Sequence, residues 1–160
     1  MMEYVFSPWR MQYVGRDKSG ACAFCEALKH EDGPGNLVLF RGKACFVIMN
    51  LYPYTSAHLM VVPMLHCSKL GDMSHETHVE LVTLGAKAVE VIGSVYHPQG
   101  FNMGMNLGQA GGAGIVEHLH MHVVPRWVGD SNFMPVVGGT RVMPELLEDT
   151  YQKLKAAWVA

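Results

Sequence analysis

Short apolar runs separated by turn residues predict five β-strands. The runs cover residues 37–40, 45–49, 58–63, 101–107 and 116–124. Runs of this length, bounded by Gly, Pro, Asn or Asp, are typical of strands that pack on a hydrophobic core. The third run is apolar almost throughout, which favours a strand buried on both faces.

Apolar residues at helical spacing predict two main helices and a short N-terminal helix. The first main helix follows Ser74, an N-cap residue type, and continues to about residue 96. Its predicted apolar stripe carries Val79, Val82, Ala86 and Val89, with Leu81, Leu84 and Ala88 beside them. The second starts at Pro144, a residue type suited to the first helical position, and reaches residue 158. The short helix covers residues 22–29.

These elements predict one α+β domain over residues 1–160, with an antiparallel sheet and helices packed on it. The chain has 160 residues, of which 49% are hydrophobic and 16% charged, enough apolar material for one core. Residues 1–20 form a mixed N-terminal arm, and residues 144–158 form the C-terminal helix.

The charge balance excludes a broad basic surface. The formal net charge is -2 with neutral histidines, so we expect no nucleic-acid partner. The first residues do not show the pattern of a secretory signal, and no apolar stretch is long enough to cross a bilayer. With four cysteines, too few for a disulfide scaffold, the sequence predicts a cytoplasmic protein without a membrane partner.

Three histidines at a spacing of two are the first candidates for chemistry. His118, His120 and His122 would project from one face of a strand, and the residues between them would face the core. The adjacent Glu117 would point away from them by the same alternation. Histidines in register could bind zinc. A neutral imidazole could instead attack phosphorus and form a covalent intermediate.

A glycine-rich loop before the histidines favours the phosphate interpretation. Residues 110–114 read Ala-Gly-Gly-Ala-Gly, so the backbone can approach a ligand closely. Successive N–H groups in such a loop can surround an anion. The alternatives are an ordinary hairpin loop and three solvent-facing histidines on an exposed strand.

The histidine run identifies a family resemblance. Residues 118–124, His-Leu-His-Met-His-Val-Val, match the signature of the histidine-triad (HIT) superfamily of nucleotide hydrolases and transferases. Residues 46–50 and 58–63 resemble the strand pair of that superfamily. Residues 124–127 and 129–137 resemble the branch of bacterial diadenosine tetraphosphate phosphorylase-like proteins.

The resemblance implies a HIT-like fold with a five-stranded antiparallel sheet, usually in a homodimer. It implies that His120 is the nucleophile and that His122 contacts the phosphate and assists the leaving group. His118 would be the outer member of the catalytic triad. Nucleotide-binding groups would be Asn50, Asn106, the backbone of Gly112, Ala113, Gly114 and Ile115, and His122. Apolar residues near Phe46 and Ile48 would flank a purine.

The segment before the histidines differs from that of many superfamily members, and this difference limits the substrates that we expect. Residues 113–118 read Ala-Gly-Ile-Val-Glu-His and lack the Gly-Gln-Ser/Thr that many of its hydrolases carry there. We therefore expect cleavage of a dinucleoside polyphosphate, with inorganic phosphate or water as acceptor and no organic cofactor. Phosphorolysis of diadenosine tetraphosphate would give ATP and ADP. Alternatives are hydrolysis of adenosine monophosphate esters or phosphoramidates, a low-turnover nucleotide-binding signalling module, and a purely zinc-dependent catalyst.

A pair of cysteines suggests a structural zinc ion. Cys22 and Cys25 have the spacing of half a tetrahedral site, and His66 with His118 could complete it, as in some bacterial members of the superfamily. The alternative is two reduced cysteines in a short helix. His58 is interpreted as a hydrogen-bonding residue behind the site. The surface histidines would be His30, His75, His78 and His97.

Overall fold

The computed structural model describes residues 21–130, Val137 and residues 144–159. Within these residues five strands form one antiparallel sheet, as predicted, in the order β1-β2-β3-β5-β4. The strands are β1 (Val38–Arg41), β2 (Cys45–Met49), β3 (Leu59–Pro63), β4 (Gly100–Met105) and β5 (Met121–Arg126). The predicted arm, residues 1–20, and most of the 129–137 motif lie outside the described residues.

The helices are α1 (Ala23–Ala27), a single 3₁₀ turn (Leu70–Asp72), α2 (His75–Tyr96) and α3 (Leu147–Val159). Ser74 caps α2 as predicted, because its hydroxyl accepts a hydrogen bond from the N–H of Thr77 at 3.2 Å. The prediction that α3 starts at Pro144 is wrong, since the helix begins three residues later, at Leu147. None of the helices in the described residues combines the length and apolar character needed to span a bilayer.

The core lies between the sheet and the two long helices. Every residue of β2 and β3 is buried, which accounts for their continuous apolar runs. Helix α2 packs on β2, β3 and β5, and α3 packs on β1 and α2. The approach of α2 to the sheet is close at Gly85, where a Cβ would lie 2.5 Å from the Met121 Cε.

The predicted α2 stripe is buried only on the side of Leu81, Leu84 and Ala88. Val79 and Val82 are 51% and 62% exposed. The buried stripe is Leu81, Leu84, Ala88 and Ile92. Apolar residues occupy two faces of this helix, and the face with the longer side chains at i, i+3 and i+4 spacing packs on the sheet.

The last strand is shorter than predicted. It begins at Met121 rather than at residue 116, because β3 pairs with it only from Leu59 to Val61. Before the strand, the N–H of Leu119 donates to the carbonyl of Cys67 at 2.8 Å instead of joining a ladder. Of the three spaced histidines, only His122 therefore lies within a β-strand.

A carboxylate from α2 fixes the turn between β1 and β2. The two Glu80 oxygens accept the N–H groups of Lys43 and Ala44 at 2.7 and 2.6 Å. Gly42 makes room for this contact, since a Cβ there would lie 2.1 Å from Glu80 Oε1. The turn is thus tied to the helix that covers the sheet.

We expect Glu80→Ala to lower the free energy of unfolding by about 1–2 kcal/mol, because two N–H groups lose a charged acceptor that is only partly shielded from water. Urea unfolding measures the change. Glu80→Gln, which keeps one acceptor oxygen, should lose less. Glu90→Ala removes an exposed carboxylate from the same helix and should change stability by less than about 0.5 kcal/mol. Equal stability of the Glu80→Ala and Glu90→Ala variants would contradict this function of Glu80.

Candidate functional site

A cavity of about 990 Å³ opens beside the last strand, between α1, β2 and the glycine-rich loop. Its lining includes His120 and every residue predicted to bind nucleotide: Asn50, Asn106, Gly112, Ala113, Gly114, Ile115 and His122. A cavity of this size, mostly apolar with a few polar groups, is typical of small-molecule sites. His118 is fully buried and belongs to a separate cluster with the cysteines.

Hydrogen bonding fixes the tautomer of His120. Its Nδ1 lies 2.9 Å from the backbone carbonyl oxygen of His118. A carbonyl only accepts, so Nδ1 carries the hydrogen and Nε2 carries the lone pair. Burial lowers the pKa of His120 below its usual 6.5, which keeps the ring neutral. The ring therefore carries a lone pair on Nε2 in its neutral form, the form in which an imidazole can act as a nucleophile.

A second chain of hydrogen bonds fixes His122. The N–H of Tyr54 donates to Nδ1 of His58 at 3.1 Å, so a neutral His58 carries its hydrogen on Nε2. This Nε2 lies 3.0 Å from Nδ1 of His122 and donates to it. His122 then carries its own hydrogen on Nε2, which makes it a donor. The interpretation of His58 as a hydrogen-bonding residue agrees with this geometry.

The two cavity histidines thus differ in chemistry. The ring centroids of His120 and His122 are 4.8 Å apart, with the planes at 77°. One ring offers a lone pair and the other an N–H group within the same cavity. Glu117 also lines this cavity, contrary to the prediction. Strand alternation does not extend to Glu117, because β5 begins four residues after it.

Backbone geometry explains why the glycine-rich loop needs its glycines. Gly108 and Gly112 have φ values of 71° and 85°, in the left-handed region. A Cβ at Gly111 would lie 2.4 Å from the carbonyl oxygen of Leu107. The N–H groups of Gly112 and Ala113 donate to carbonyls of the loop itself.

Two of the backbone N–H groups predicted to bind phosphate, those of Gly112 and Ala113, are therefore used within the loop. The N–H groups of Gly114 and Ile115 remain as the candidates for binding an anion, and both residues line the cavity.

Not all the residues predicted to contact the ribose, phosphate or purine line the cavity. The side-chain oxygen of Asn50 accepts the N–H of Tyr52 at 2.9 Å, and its nitrogen lies 3.4 Å from Nδ1 of His58. Asn50 thus helps to hold the loop after β2 as well as lining the cavity. Ile48 lines the cavity, whereas Phe46 is fully buried and packs edge-on against Phe24.

The four predicted metal ligands lie together. The Sγ atoms of Cys22 and Cys25 are 3.3 and 3.7 Å from Nδ1 of His118, and the Cys25 Sγ is 3.3 Å from Nδ1 of His66. All four donor atoms lie within 4.8 Å of one another. Tetrahedral zinc bonds of the usual lengths place ligand atoms about 3.3–3.8 Å apart. These three sulfur–nitrogen distances match that spacing, so the four residues could hold a zinc ion.

The hydrogen bonding of His118 also suits a metal ligand. Its Nε2 lies 2.8 Å from the carbonyl oxygen of Pro63, so Nε2 carries the hydrogen. The lone pair is then on Nδ1, the atom that faces the cysteines. A ligand histidine that donates its other N–H to a carbonyl is the usual arrangement in metal sites.

Sequence comparison agrees with the geometry of the site. A family model described as the HIT domain matches residues 34–128. The chain belongs to the HIT domain family. The AP-4-A phosphorylase of Mycobacterium tuberculosis (strain ATCC 25618 / H37Rv) is 42% identical to it, over 98% of this chain and 85% of the relative. The asymmetrical bis(5'-nucleosyl)-tetraphosphatase of Schizosaccharomyces pombe is 30% identical over 60% of this chain and 52% of the relative.

Solved structures show the same HIT fold. A Zn-bound histidine triad family protein from Mycobacterium smegmatis superposes with a TM-score of 0.69, at 26% identity, over 87% of this chain and 94% of that one. The family resemblance and the five-stranded antiparallel fold predicted from the sequence are confirmed.

Two aromatic residues of this HIT domain were missed by sequence reasoning. The Tyr54 ring stacks on His58 with centroids 4.6 Å apart. The Phe24 ring lies 5.1 Å from that of His120 and 5.4 Å from that of His118. The one sequence signal for Phe24 is its position between the two cysteines. Among the predicted surface histidines, His30 is exposed but lines the cavity.

Proposed function

We propose that this HIT protein cleaves diadenosine tetraphosphate by phosphorolysis, giving ATP and ADP through a covalent nucleotidyl-His120 intermediate. The observation that carries the proposal is the His120 tautomer, with Nδ1–H held by the His118 carbonyl and the lone pair on Nε2 of a cavity-lining ring. The name and 42% identity of the mycobacterial AP-4-A phosphorylase support the substrate.

The first step forms a bond between Nε2 of His120 and the phosphorus that bears adenosine. The bond from this phosphorus to the bridging oxygen breaks, and its electron pair leaves with ATP. The N–H of His122 donates to a phosphate oxygen as negative charge develops, which stabilises the transition state. Nδ1 of His120 keeps its proton throughout and donates a hydrogen bond to the His118 carbonyl.

The second step returns the enzyme to its starting state. An oxygen of inorganic phosphate attacks the phosphorus of the nucleotidyl-histidine, the N–P bond breaks, and its electron pair returns to Nε2. The product is ADP. If water attacks instead, the product is AMP, so the acceptor alone distinguishes a phosphorylase from a hydrolase.

A second candidate reaction is hydrolysis of adenosine monophosphate esters or phosphoramidates. Gln109 lines the cavity and could supply an amide to the phosphate. Residues 113–117 nevertheless contain no hydroxyl that could pass a proton to an amine leaving group. The dinucleoside polyphosphate therefore remains the better supported substrate.

Replacing His120 by Asn should abolish turnover, because the amide cannot bond to phosphorus. We expect a rate loss of at least about 10³-fold, with nucleotide affinity changed by less than about threefold. The measurement is a quench of enzyme mixed with labelled diadenosine tetraphosphate, followed by mass analysis of the peptide that contains His120. In parallel, products are quantified with and without inorganic phosphate.

His75→Asn is the matched control, since His75 is exposed in the first turn of α2. It should form labelled protein as fast as the wild type. Label on a different residue, or normal turnover of the His120→Asn variant, would refute the nucleophile. If neither the products nor the rate depend on inorganic phosphate, the protein is a hydrolase and not a phosphorylase.

We propose that Cys22, Cys25, His66 and His118 hold a structural zinc ion. The distances and the hydrogen bond from His118 to Pro63 support it. Bound zinc would join α1 to the segment before β5 and keep His118 out of the chemistry. We also propose a cytoplasmic location, because the four cysteines form no disulfide, as is usual in a reducing compartment.

Protein purified without chelators should contain about one zinc ion per chain, measured by inductively coupled plasma mass spectrometry. Cys22→Ser and His66→Ala should lose most of it, because each removes one of four ligands. Cys67→Ala removes a buried thiol outside the cluster and should keep the metal. Wild-type protein with far less than stoichiometric zinc would rule the site out.

We also propose a homodimer formed through the β4 edge. Strand β4 pairs only with β5 in the described sheet, and its residues 102–104 are exposed. Met103 of this strand is exposed and in contact range of Gly85 of α2, and Val79 and Val82, within two turns before Gly85, are also exposed. An unpaired strand edge with apolar surface beside it favours association with a second copy.

Sedimentation velocity should give twice the chain mass of 17.7 kDa. Val82→Glu should shift the protein to the monomer, because burying an unpaired carboxylate is costly. Leu146→Glu changes an exposed residue beside α3, which packs at the opposite sheet edge, and should stay dimeric. A monomeric wild type at micromolar concentration would end this proposal.

A further inference from the structure

Helix α1 has two faces with different partners. Cys22, its N-cap, and Cys25 direct their sulfur atoms toward His118. Ala23, Phe24, Glu26 and Ala27 line the nucleotide cavity. The five residues of α1 thus lie between the metal cluster and the cavity. Phe24 is buried within this helix.

We propose that Phe24 is a positioning residue for His120 and that the metal cluster holds Phe24 in place. The inference rests on the proposed function, since it concerns the ring that attacks phosphorus. In this arrangement the metal ion fixes the geometry of the nucleophile through a side chain and never contacts the substrate.

The contacts of His120 show why Phe24 matters. The bond from Nδ1 to the His118 carbonyl fixes one ring atom but leaves the tilt of the ring open. The tilt is limited by two rings, His122 at 4.8 Å and Phe24 at 5.1 Å between centroids. A displacement of about 1 Å at a reacting atom can cost about 10²-fold in rate. The Phe24 ring therefore sets the direction of the Nε2 lone pair.

The attachment of α1 shows why the metal matters. The C-terminal end of α1 is tied to the sheet, because the Asn36 side chain donates to the Ala27 carbonyl and Arg41 donates to the carbonyls of Leu28 and His30. At the N-terminal end, the Cys22 side chain makes no capping hydrogen bond. A helix of five residues is far too short to be stable alone. Among the described residues, the cluster therefore adds a polar attachment to the N-terminal half of α1, beside the packing of Phe24 on Phe46.

Phe24→Leu should slow formation of nucleotidyl-His120 at saturating substrate by about 10- to 100-fold, while zinc content is retained. The Kd of a non-cleavable dinucleotide analogue should change by less than about threefold. Phe24→Tyr, which keeps the ring, should recover most of the rate. Phe40→Leu is the matched control, because Phe40 packs on Trp158 away from the cavity. It should leave the rate of labelling unchanged.

The coupling to the metal has its own readouts. Cys25→Ser should reproduce the rate loss of Phe24→Leu, and the double variant should lose no more than either single variant. Without substrate, removing the metal should increase hydrogen exchange in residues 23–27, measured by mass spectrometry. ¹³C relaxation of the His120 ring should show a single ring orientation in the wild type and an averaged orientation in Phe24→Leu.

Separate outcomes test the two proposals. A wild type that forms no nucleotidyl-His120 refutes the proposed function, while the His120 spectra still decide the function of Phe24. A Phe24→Leu variant with weakened analogue binding, a normal labelling rate and a single His120 ring orientation overturns the positioning function. Unchanged exchange in residues 23–27 after metal removal overturns the coupling to the cluster.

Discussion

The site depends on His118, which is held at three points. Its Nε2–H donates to the Pro63 carbonyl, its Nδ1 faces the two cysteines, and its backbone carbonyl accepts the Nδ1–H of His120. One residue thus connects the central sheet, the N-terminal helix and the reactive ring. Any shift of His118 changes the direction from which His120 approaches a substrate.

Three histidines at equal spacing acquire three chemical characters from their hydrogen-bond partners. His118 faces thiols, His120 carries a lone pair on Nε2, and His122 carries a hydrogen on Nε2. In each case a backbone group determines the tautomer, directly or through His58. A backbone carbonyl or N–H keeps the same polarity over the whole pH range, so these assignments do not depend on a titrating carboxylate.

Much of this arrangement could be predicted from the sequence. The spacing of the histidines and of Cys22 and Cys25 indicated the chemistry, and the apolar runs located the five strands. The start of β5 could not be predicted, because it depends on how far β3 extends beside it. The stripe of α2 was ambiguous, since two of its faces are apolar. Phe24 was missed because the two histidines that it contacts lie more than ninety residues further along the chain.

Cys22, the N-cap of α1, and His118 are 96 positions apart in the chain. A metal ion bound by both would act as a cross-link across most of the domain, and closing so long a loop greatly restricts the unfolded ensemble. During synthesis the two thiols leave the ribosome first and His118 much later. The coordination sphere can therefore be completed only after β3 and α2 have been made, so metal loading would be a late event in the maturation of the newly made chain.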